Sequence, residues 1–319
     1  MAVESFEPGG SPLYARLARE YADDPVVDEI AGDSKPPWNA PLLLFAGVHL
    51  LALSGEEEDP WSRFGEVLRE RREFLARFVA EQPIQTNEVQ RSWALLPAFL
   101  TVAGDRPLDL VELGPSAGLN LLWDRYRYRY PSGSWGDPRA GLELKGEAVG
   151  GPPAELLARR PVVRSRVGID RAPVDVRSDE DALVLQSFVW ADQEARLERL
   201  RQAIAVARRD PPRIVRGDYL DELPGLLAER PADGLTVVFH SVSTAYLRRE
   251  DRARLGEAIA AAGEAGPLAW ISYEFVDEYG EVDPAFEAAG IDVRVWPGGE
   301  PVRLARADGH GNRMHWIAP

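Results

Sequence analysis

From Pro107 onward, short apolar runs alternate with longer stretches of helical periodicity, and this alternation limits the chain to few folds. The apolar runs predict strands at Leu108–Leu113, Arg166–Ile169, Ile214–Val215, Leu235–Phe239 and Leu268–Tyr273. Helical periodicity between them predicts helices at Gly118–Arg125, Asp192–Arg209, Leu220–Glu229 and Arg249–Gly263. Strands joined by crossover helices run parallel, so we expect an α/β fold with a Rossmann-like sheet.

The final part of the chain has a different pattern, in which apolar and polar residues alternate with period two. It predicts antiparallel strands at Ile291–Trp296, Val302–Ala307 and Met314–Ile317, joined by Pro-Gly-Gly and Asp-Gly-His-Gly turns. A Gly- and Pro-rich segment, residues 126–161, opens with alternating Tyr126, Tyr128 and Tyr130. We expect this segment to form a small β excursion from the main sheet.

Before Pro107 the periodicity is helical. Ser11 is a candidate helix cap, and helical stretches follow at Trp38–Leu53, Trp61–Ala80 and Asn87–Val102. The sequence therefore predicts an all-helical N-terminal domain, residues 1–104, followed by a Rossmann domain, residues 105–319, that contains the excursion at 126–161.

Charge and composition exclude several functional classes. The net charge of −15 repels phosphate backbones, so nucleic acid is not an expected partner. The chain has no cysteine, which rules out disulfides, zinc–thiolate sites and cysteine nucleophiles. No signal peptide is evident, and the longest apolar run, Leu42–Leu53, is shorter than the ~20 residues of a membrane span. We expect a cytoplasmic protein with no membrane partner and no bound metal.

The segment Val111–Asn120 has the sequence Val-Glu-Leu-Gly-Pro-Ser-Ala-Gly-Leu-Asn. It lacks the Gly-Lys-Ser/Thr ending of a P-loop, and Ser116 stands where a dinucleotide fingerprint has glycine. It resembles the E-x-G-x-x-x-G motif of class I S-adenosylmethionine-dependent methyltransferases. Gly114 and Gly118 let backbone approach a ligand, and the N–H groups of the next helix can bind its carboxylate. Glu112 can accept a hydrogen bond from the ligand's ammonium.

Acidic residues also follow the second and third predicted strands. Asp170 stands where an acid binds both ribose hydroxyls in sites of this topology. In the methyltransferases that the motif resembles, an acid at the position of Asp218 typically bonds to the adenine amino group. An aromatic neighbour, here Tyr219, can pack on the adenine ring. Ser116 and Asn120, from the motif itself, complete the predicted cofactor site. Alternatively, Asp170 and Asp218 cap the loops that follow them.

Four segments together resemble an uncharacterised bacterial family, domain-of-unknown-function family 2332. They are Gly114–Tyr130, Val189–Gln193, Val215–Asp218 and Phe239–Ser241. The similarity extends over nearly the whole chain and includes Asn87–Arg91. Because that family is regarded as methyltransferase-like, the resemblance implies the fold and the cofactor S-adenosylmethionine, but not the reaction.

Two further residues are candidates for the site. His240 ends the fourth predicted strand, at the sheet edge where ligands bind, and can act as general base for a hydroxyl or amine. Its alternative is a structural histidine bonded to a loop carbonyl. Arg91 lies in the helix before the first strand and can pair with the methionine carboxylate, or else is a surface arginine. Tyr246, Tyr273 and Glu274 are weaker candidates.

A rival interpretation comes from the same residues. Gly114–Gly118 also match G-x-S-x-G, the nucleophile elbow of α/β hydrolases, with Ser116 as nucleophile and His240 or His310 as base. The position on the first strand and the lack of an upstream His-Gly-Gly-Gly segment disfavour it. A third alternative is a cofactor-binding protein without catalysis. The sequence favours a methyltransferase that acts on a small-molecule acceptor through O- or N-methyl transfer, and leaves the acceptor and the oligomeric state undefined.

Overall fold

The structure, a computed structural model, describes residues 10–32, 39–275 and 289–318. Its contacts divide the chain into a helical unit, Met1–Thr86 with Val174–Ile204, and a sheet unit, Asn87–Pro173 with Ala205–Pro319. The sequence placed the boundary near residue 104. The contact division instead begins the sheet unit at Asn87 and adds residues 174–204 to the helical unit.

The elements are numbered along the chain. The described α-helices are α1 (Pro12–Glu20), α2 (Pro25–Ala31), α3 (Asn39–Leu53), α4 (Phe64–Glu70), α5 (Arg72–Glu81), α6 (Arg91–Val102), α7 (Ala154–Leu157), α8 (Asp179–Ser187), α9 (Glu194–Ala207), α10 (Tyr219–Ala228) and α11 (Arg249–Ala265). The described strands are β1 (Leu108–Leu113), β2 (Arg127–Tyr130), β3 (Gly133–Trp135), β4 (Glu143–Lys145), β5 (Glu147–Val149), β6 (Val163–Asp170), β7 (Arg213–Arg216), β8 (Leu235–Ser241), β9 (Leu268–Glu274), β10 (Ala289–Trp296), β11 (Val302–Ala307) and β12 (Arg313–Trp316).

The helical unit has an aromatic core. Tyr14 of α1 stacks on Phe45 of α3 at 4.3 Å between ring centroids, and Phe45 stacks on Phe64 of α4 at 5.6 Å. The predicted cap is confirmed, since Ser11 Oγ accepts a hydrogen bond from the Tyr14 N–H at 3.2 Å. His49 is buried and lies 2.8 Å from the Val189 carbonyl. Within the described ranges, no helix combines the length and apolarity that a bilayer crossing needs.

The sheet unit is built on nine strands in the order β5-β12-β11-β10-β9-β8-β1-β6-β7. The strands from β9 to β7 pair in parallel, whereas β10, β11 and β12 pair antiparallel with their predecessors. This confirms an α/β protein with a helical N-terminal region and a large mixed, mostly parallel sheet. The excursion contains the predicted small sheet, β3-β2-β4, and also sends β5 to the edge of the main sheet.

Helix α6 departs from its predicted amphipathic pattern, because nearly all of its residues are buried. On one side Phe99 packs edge-on against Phe239 of β8, with ring centroids 5.0 Å apart. On another side Trp93 stacks on Tyr130 of the small sheet at 5.2 Å. A helix enclosed in this way is apolar around most of its circumference, so its periodicity gives no indication of which domain it joins.

Candidate functional site

Four neighbouring parallel strands bring their carboxyl ends to one edge of the sheet. The residues that follow β1 form the loop Gly114–Gly118, which we call the glycine loop. Asp170 ends β6, the loop Ser241–Thr244 ends β8 and Glu274 ends β9. All of them belong to the sheet unit. This edge is where ligands bind in open parallel sheets, and it gathers most of the residues that the sequence singled out.

The glycine loop adopts left-handed backbone at Gly114 (φ 71°), Ser116 (φ 53°) and Gly118 (φ 73°). A serine in this conformation is strained, and the Ser116 N–H is held by Asp170 Oδ2 at 2.8 Å. A Cβ at Gly114 would lie 2.9 Å from Ser243 Cβ, and one at Gly118 would lie 2.6 Å from Pro212 Cγ. The protein's own packing therefore requires both glycines.

The helix after the glycine loop differs from its prediction. Instead of an α-helix at Gly118–Arg125, the chain forms a 3₁₀ helix at Leu119–Arg125. Two tyrosines of the excursion take up its carbonyls, since Tyr126 Oη donates to the Leu119 carbonyl and Tyr128 Oη donates to the Trp123 carbonyl. In an α-helix such a carbonyl accepts from the backbone N–H four residues later. The tyrosine hydroxyls compete with those N–H groups for the same carbonyl oxygens.

Backbone N–H groups of this region have protein acceptors. The Leu119 N–H donates to Asn87 Oδ1 at 3.0 Å, and the Ser116 N–H donates to Asp170. The sequence assigned the N–H groups at the start of the following helix to a ligand carboxylate. In this structure the side chain of Asn87 occupies the one on Leu119, and Asp170 occupies the Ser116 N–H of the preceding loop.

Glu112 is a buried carboxyl group on the central strand, with 2% of its surface exposed. Burial raises the pKa of Glu112 to about 8, and the charge of Asp170 adds to this shift, while hydrogen bonds from Asn120 and Leu121 and the charge of Arg91 oppose it. Among the described residues, Glu112 Oε2 has no hydrogen-bond partner. At neutral pH the group is therefore mostly protonated, and an arriving cation would favour its ionised form.

Asn120 connects this carboxyl group to helix α6. Its side chain hydrogen-bonds to Glu112, and its Oδ1 accepts from Ser92 Oγ at 2.7 Å. Arg91, the preceding residue of α6, donates from Nε to the Gly309 carbonyl at 2.8 Å and from Nη1 to the Ser241 carbonyl at 3.0 Å. Arg91 is thus buried at the site, and the alternative prediction of a surface arginine is wrong.

The other two strand-end acids act as local caps. Asp170 Oδ1 accepts from the Ala172 N–H at 2.8 Å. Asp218 caps α10 through the Leu220 N–H at 2.9 Å and pairs with Arg171. Burial opposes ionisation of Asp218, but the bonds from Leu220 and Arg171 hold its pKa below the ordinary value. Capping leaves further lone pairs on each carboxylate, so it is compatible with ligand binding.

Tyr219 begins α10, and its phenol hydrogen-bonds to Ser243, so it joins α10 to the loop after β8. Burial raises the pKa of Tyr219, so the hydroxyl stays protonated. Ser243 Oγ in turn donates to the Leu113 carbonyl at 2.9 Å. These bonds hold the ends of β1 and β8 and the start of α10 together beside the glycine loop.

His240 forms a buried pair with Glu274, which the sequence included only as a weaker candidate. His240 Nδ1 lies 2.8 Å from Glu274 Oε1, and the same oxygen accepts from the N–H groups of Ser243 and Thr244 at 2.8 and 2.9 Å. Burial alone would raise the pKa of Glu274, but His240 and the two N–H groups hold it below the ordinary value. The alternative prediction for His240 was a bond to a loop carbonyl, whereas the observed partner is the Glu274 carboxylate.

Comparison with known proteins places the sequence in a family. Residues 3–316 match the family described as "Uncharacterized protein conserved in bacteria (DUF2332)". The chain belongs to this family. The predicted family resemblance is thereby confirmed, whereas no curated protein matches the chain.

The remaining candidates of this DUF2332 protein have contacts or exposures of their own. Tyr273 is buried, and its hydroxyl donates to the Asp308 carbonyl. Tyr246 is 80% exposed in the short 3₁₀ turn after the Ser241–Thr244 loop. His310 Nδ1 lies 3.8 Å from Glu88 Oε2. In the part of the chain that the structure describes, no three His, Asp or Glu side chains are grouped so as to hold a metal ion.

Proposed function

We propose that this protein binds S-adenosylmethionine and transfers its methyl group to a small-molecule acceptor. The observation that carries the proposal is Glu112. Its carboxyl group is buried beside the glycine loop, and its Oε2 has no hydrogen-bond partner among the described residues. A buried polar atom without a partner costs about 1–3 kcal/mol. An amino-acid ammonium would donate a hydrogen bond to this oxygen, and its positive charge would favour the ionised form of the carboxyl group.

The neighbouring residues fit the rest of that cofactor. Arg91, whose charge acts on Glu112, is the residue we assign to the methionine carboxylate. We assign Asp170, which retains lone pairs, to the ribose hydroxyls, and Asp218 with Tyr219 to the adenine ring. Gly114, Ser116, Gly118 and Asn120 complete the proposed site. When bound, the cofactor supplies an electrophilic methyl group, and the protein's task is to bind, orient and accept a proton.

His240 is the residue we assign as general base. Its Nδ1 is held by Glu274, so the other ring nitrogen, Nε2, is left to take a proton from the acceptor. Because the ring orientation is fixed before the acceptor binds, little entropy is lost in orienting the base during the reaction. A non-catalytic cofactor-binding protein has no need of such a base.

The first prediction concerns Asp170. Asp170→Ala should weaken binding of S-adenosylhomocysteine by about 1.5–3 kcal/mol, roughly 10- to 150-fold, because hydrogen bonds to a charged group are lost. The same change removes the acceptor of the Ser116 N–H. Isothermal titration calorimetry measures the affinity.

Asp175→Ala is the matched control. Asp175 accepts from the N–H two residues further on, Arg177, as Asp170 does from Ala172, but it belongs to the helical unit. Its replacement should leave the affinity unchanged. Equal affinities of Asp170→Ala and the wild type would contradict the assignment of Asp170.

The hydrolase alternative is favoured by one observation, the strained backbone of Ser116, which is a property of nucleophile elbows. However, His240 Nδ1 is bonded to Glu274, and His240 Nε2 has no hydrogen-bond partner among the described residues. The serine–histidine bond that activates such a nucleophile is therefore not formed with His240.

A second prediction separates the two enzyme classes. A fluorophosphonate probe for serine hydrolases should not label the protein, and Ser116→Ala should retain most of its affinity for S-adenosylhomocysteine. Ser116 acts in our proposal through its backbone N–H, which alanine keeps. Stoichiometric labelling that disappears in Ser116→Ala, detected by mass spectrometry, would favour the hydrolase.

A further inference from the structure

The His240–Glu274 pair arises from the register of two central strands. In the parallel pairing of β8 with β9, His240 lies opposite Ser272, and Glu274 follows two residues later on the same face. Glu274 Oε1 then accepts three hydrogen bonds, from His240 Nδ1 and from the Ser243 and Thr244 N–H groups. Two backbone donors fix the carboxylate independently of the histidine.

This arrangement selects one tautomer of His240. An ionised carboxylate only accepts hydrogen bonds, so the ring nitrogen that faces it, Nδ1, must carry a proton. In the neutral ring, Nε2 then bears the lone pair. Nε2 is buried and has no hydrogen-bond partner among the described residues, and the same holds for Glu274 Oε2. An unpaired acceptor held in one orientation is suited to receive a proton.

We propose that Glu274 is the positioning residue for proton transfer to His240 Nε2, and that the methyl acceptor is a hydroxyl group. This inference rests on the proposed function. The hydroxyl oxygen forms the new C–O bond while the C–S bond breaks and its electron pair stays on sulfur. The hydroxyl proton goes to Nε2. The positive charge that the sulfonium loses reappears on the imidazolium, next to the Glu274 carboxylate.

The acceptor class follows from what a base contributes. Carboxylates and thiolates are already ionised, and a neutral amine attacks with its own lone pair and loses its proton afterwards. A hydroxyl is the acceptor whose attack gains most from a base. Since the His240 residue is only 1% exposed, contact between an acceptor and Nε2 requires the side chains that cover the ring to move.

The tautomer can be measured without any substrate. In full-length protein labelled with ¹⁵N-histidine, long-range ¹H–¹⁵N spectra should show the neutral ring of His240 protonated at Nδ1 and bare at Nε2. His240→Gln identifies its signals among those of the four histidines. Glu274→Leu removes the acceptor of the Nδ1 proton and should end the preference for this tautomer.

Glu112→Gln changes the other buried glutamate of this sheet edge and should leave the His240 tautomer unchanged. A wild-type His240 protonated at Nε2 would overturn the positioning role, and so would an unchanged preference for Nδ1 in Glu274→Leu. If Glu274→Leu does not fold, the wild-type spectrum alone still decides which nitrogen faces the carboxylate.

The acceptor class has its own test. A bacterial small-molecule extract, incubated with the protein and [methyl-³H]-S-adenosylmethionine, should yield alkali-stable methyl ethers. Their formation should fall at least 100-fold in His240→Gln and roughly 10- to 100-fold in Glu274→Gln. Label in methyl esters, methylamines or thioethers, or no ether while S-adenosylhomocysteine binds, would overturn the hydroxyl assignment. Failure of the wild type to bind S-adenosylhomocysteine would instead refute the proposed function.

Discussion

His240→Gln should lower the turnover number of methyl transfer by roughly 10²- to 10⁴-fold while the affinity for S-adenosylhomocysteine stays nearly unchanged. A general base acts only on the acceptor's proton, so the ground-state complex with the cofactor does not depend on it. Glutamine keeps a polar group of similar reach towards Glu274 but cannot take up a proton. Radiometric turnover and calorimetric binding, measured on the same preparation, give the two values.

A structural role for His240 predicts a different pattern. The ring is buried beside Trp270, with ring centroids 5.9 Å apart, and anchors Glu274. Loss of that anchor alone would lower the melting temperature and reduce binding and turnover together. Thermal melts therefore accompany the kinetic measurement. Full turnover in a well-folded His240→Gln protein would remove the catalytic assignment and leave the cofactor site untouched.

Glu112→Gln should weaken binding of S-adenosylhomocysteine by about 2–3 kcal/mol, roughly 30- to 150-fold, yet stabilise the free protein at neutral and alkaline pH. Binding weakens because the ammonium loses its carboxylate partner. The fold gains because glutamine resembles the protonated acid and never ionises. Opposite effects on binding and stability distinguish a ligand-binding carboxyl group from one that only supports the fold.

The effect of Glu112 on the stability of the free protein depends on pH, and its sign follows from the raised pKa. Below its unfolded pKa of 4.5, Glu112 is protonated in both states. Between that value and about 8, the unfolded chain releases a proton that the folded protein retains, so stability falls as pH rises. The accumulated loss is on the order of 3–5 kcal/mol. Urea unfolding at pH 5 and pH 8 should show a smaller pH dependence in Glu112→Gln, and an identical dependence would contradict the buried-acid assignment.

Glu274→Gln is the contrasting control, because the pKa of Glu274 is lowered in the folded protein. A lowered pKa contributes stability above the unfolded value, and this contribution is lost as pH falls through the folded value. Replacing Glu274 should therefore destabilise the protein at neutral pH. The two buried glutamates of the same sheet edge thus respond with opposite signs.

Much of the fold follows from local periodicity. Every predicted strand of the described sheet is present, with ends displaced by a few residues, because apolar strands bounded by turns have a strong local signal. Two features depended on tertiary contacts. Strand β5 joins β12 across more than 160 residues, and two tyrosines of the excursion bond to carbonyls of the helix after the glycine loop, which is 3₁₀ instead of α.

The candidate site divides in the same way. The strand-end positions of Glu112, Asp170 and His240 were predictable, because motif and topology place them at one edge. Their partners were not, since His240 meets Glu274 from 34 residues away and Asp170 meets Ser116 from 54. A signal for the first pair did exist, because the two residues end consecutive predicted strands. Only the observed register places them on one face.

A titration of the wild-type protein with S-adenosylhomocysteine tests the central claim most directly. At pH 7, in two buffers of different ionisation enthalpy, calorimetry should give a micromolar dissociation constant, on the order of −8 kcal/mol. It should also show release of up to one proton, because the ligand's ammonium converts Glu112, whose pKa is about 8, to its ionised form. No binding at millimolar ligand would contradict the account, and binding without proton release would remove Glu112 from the site.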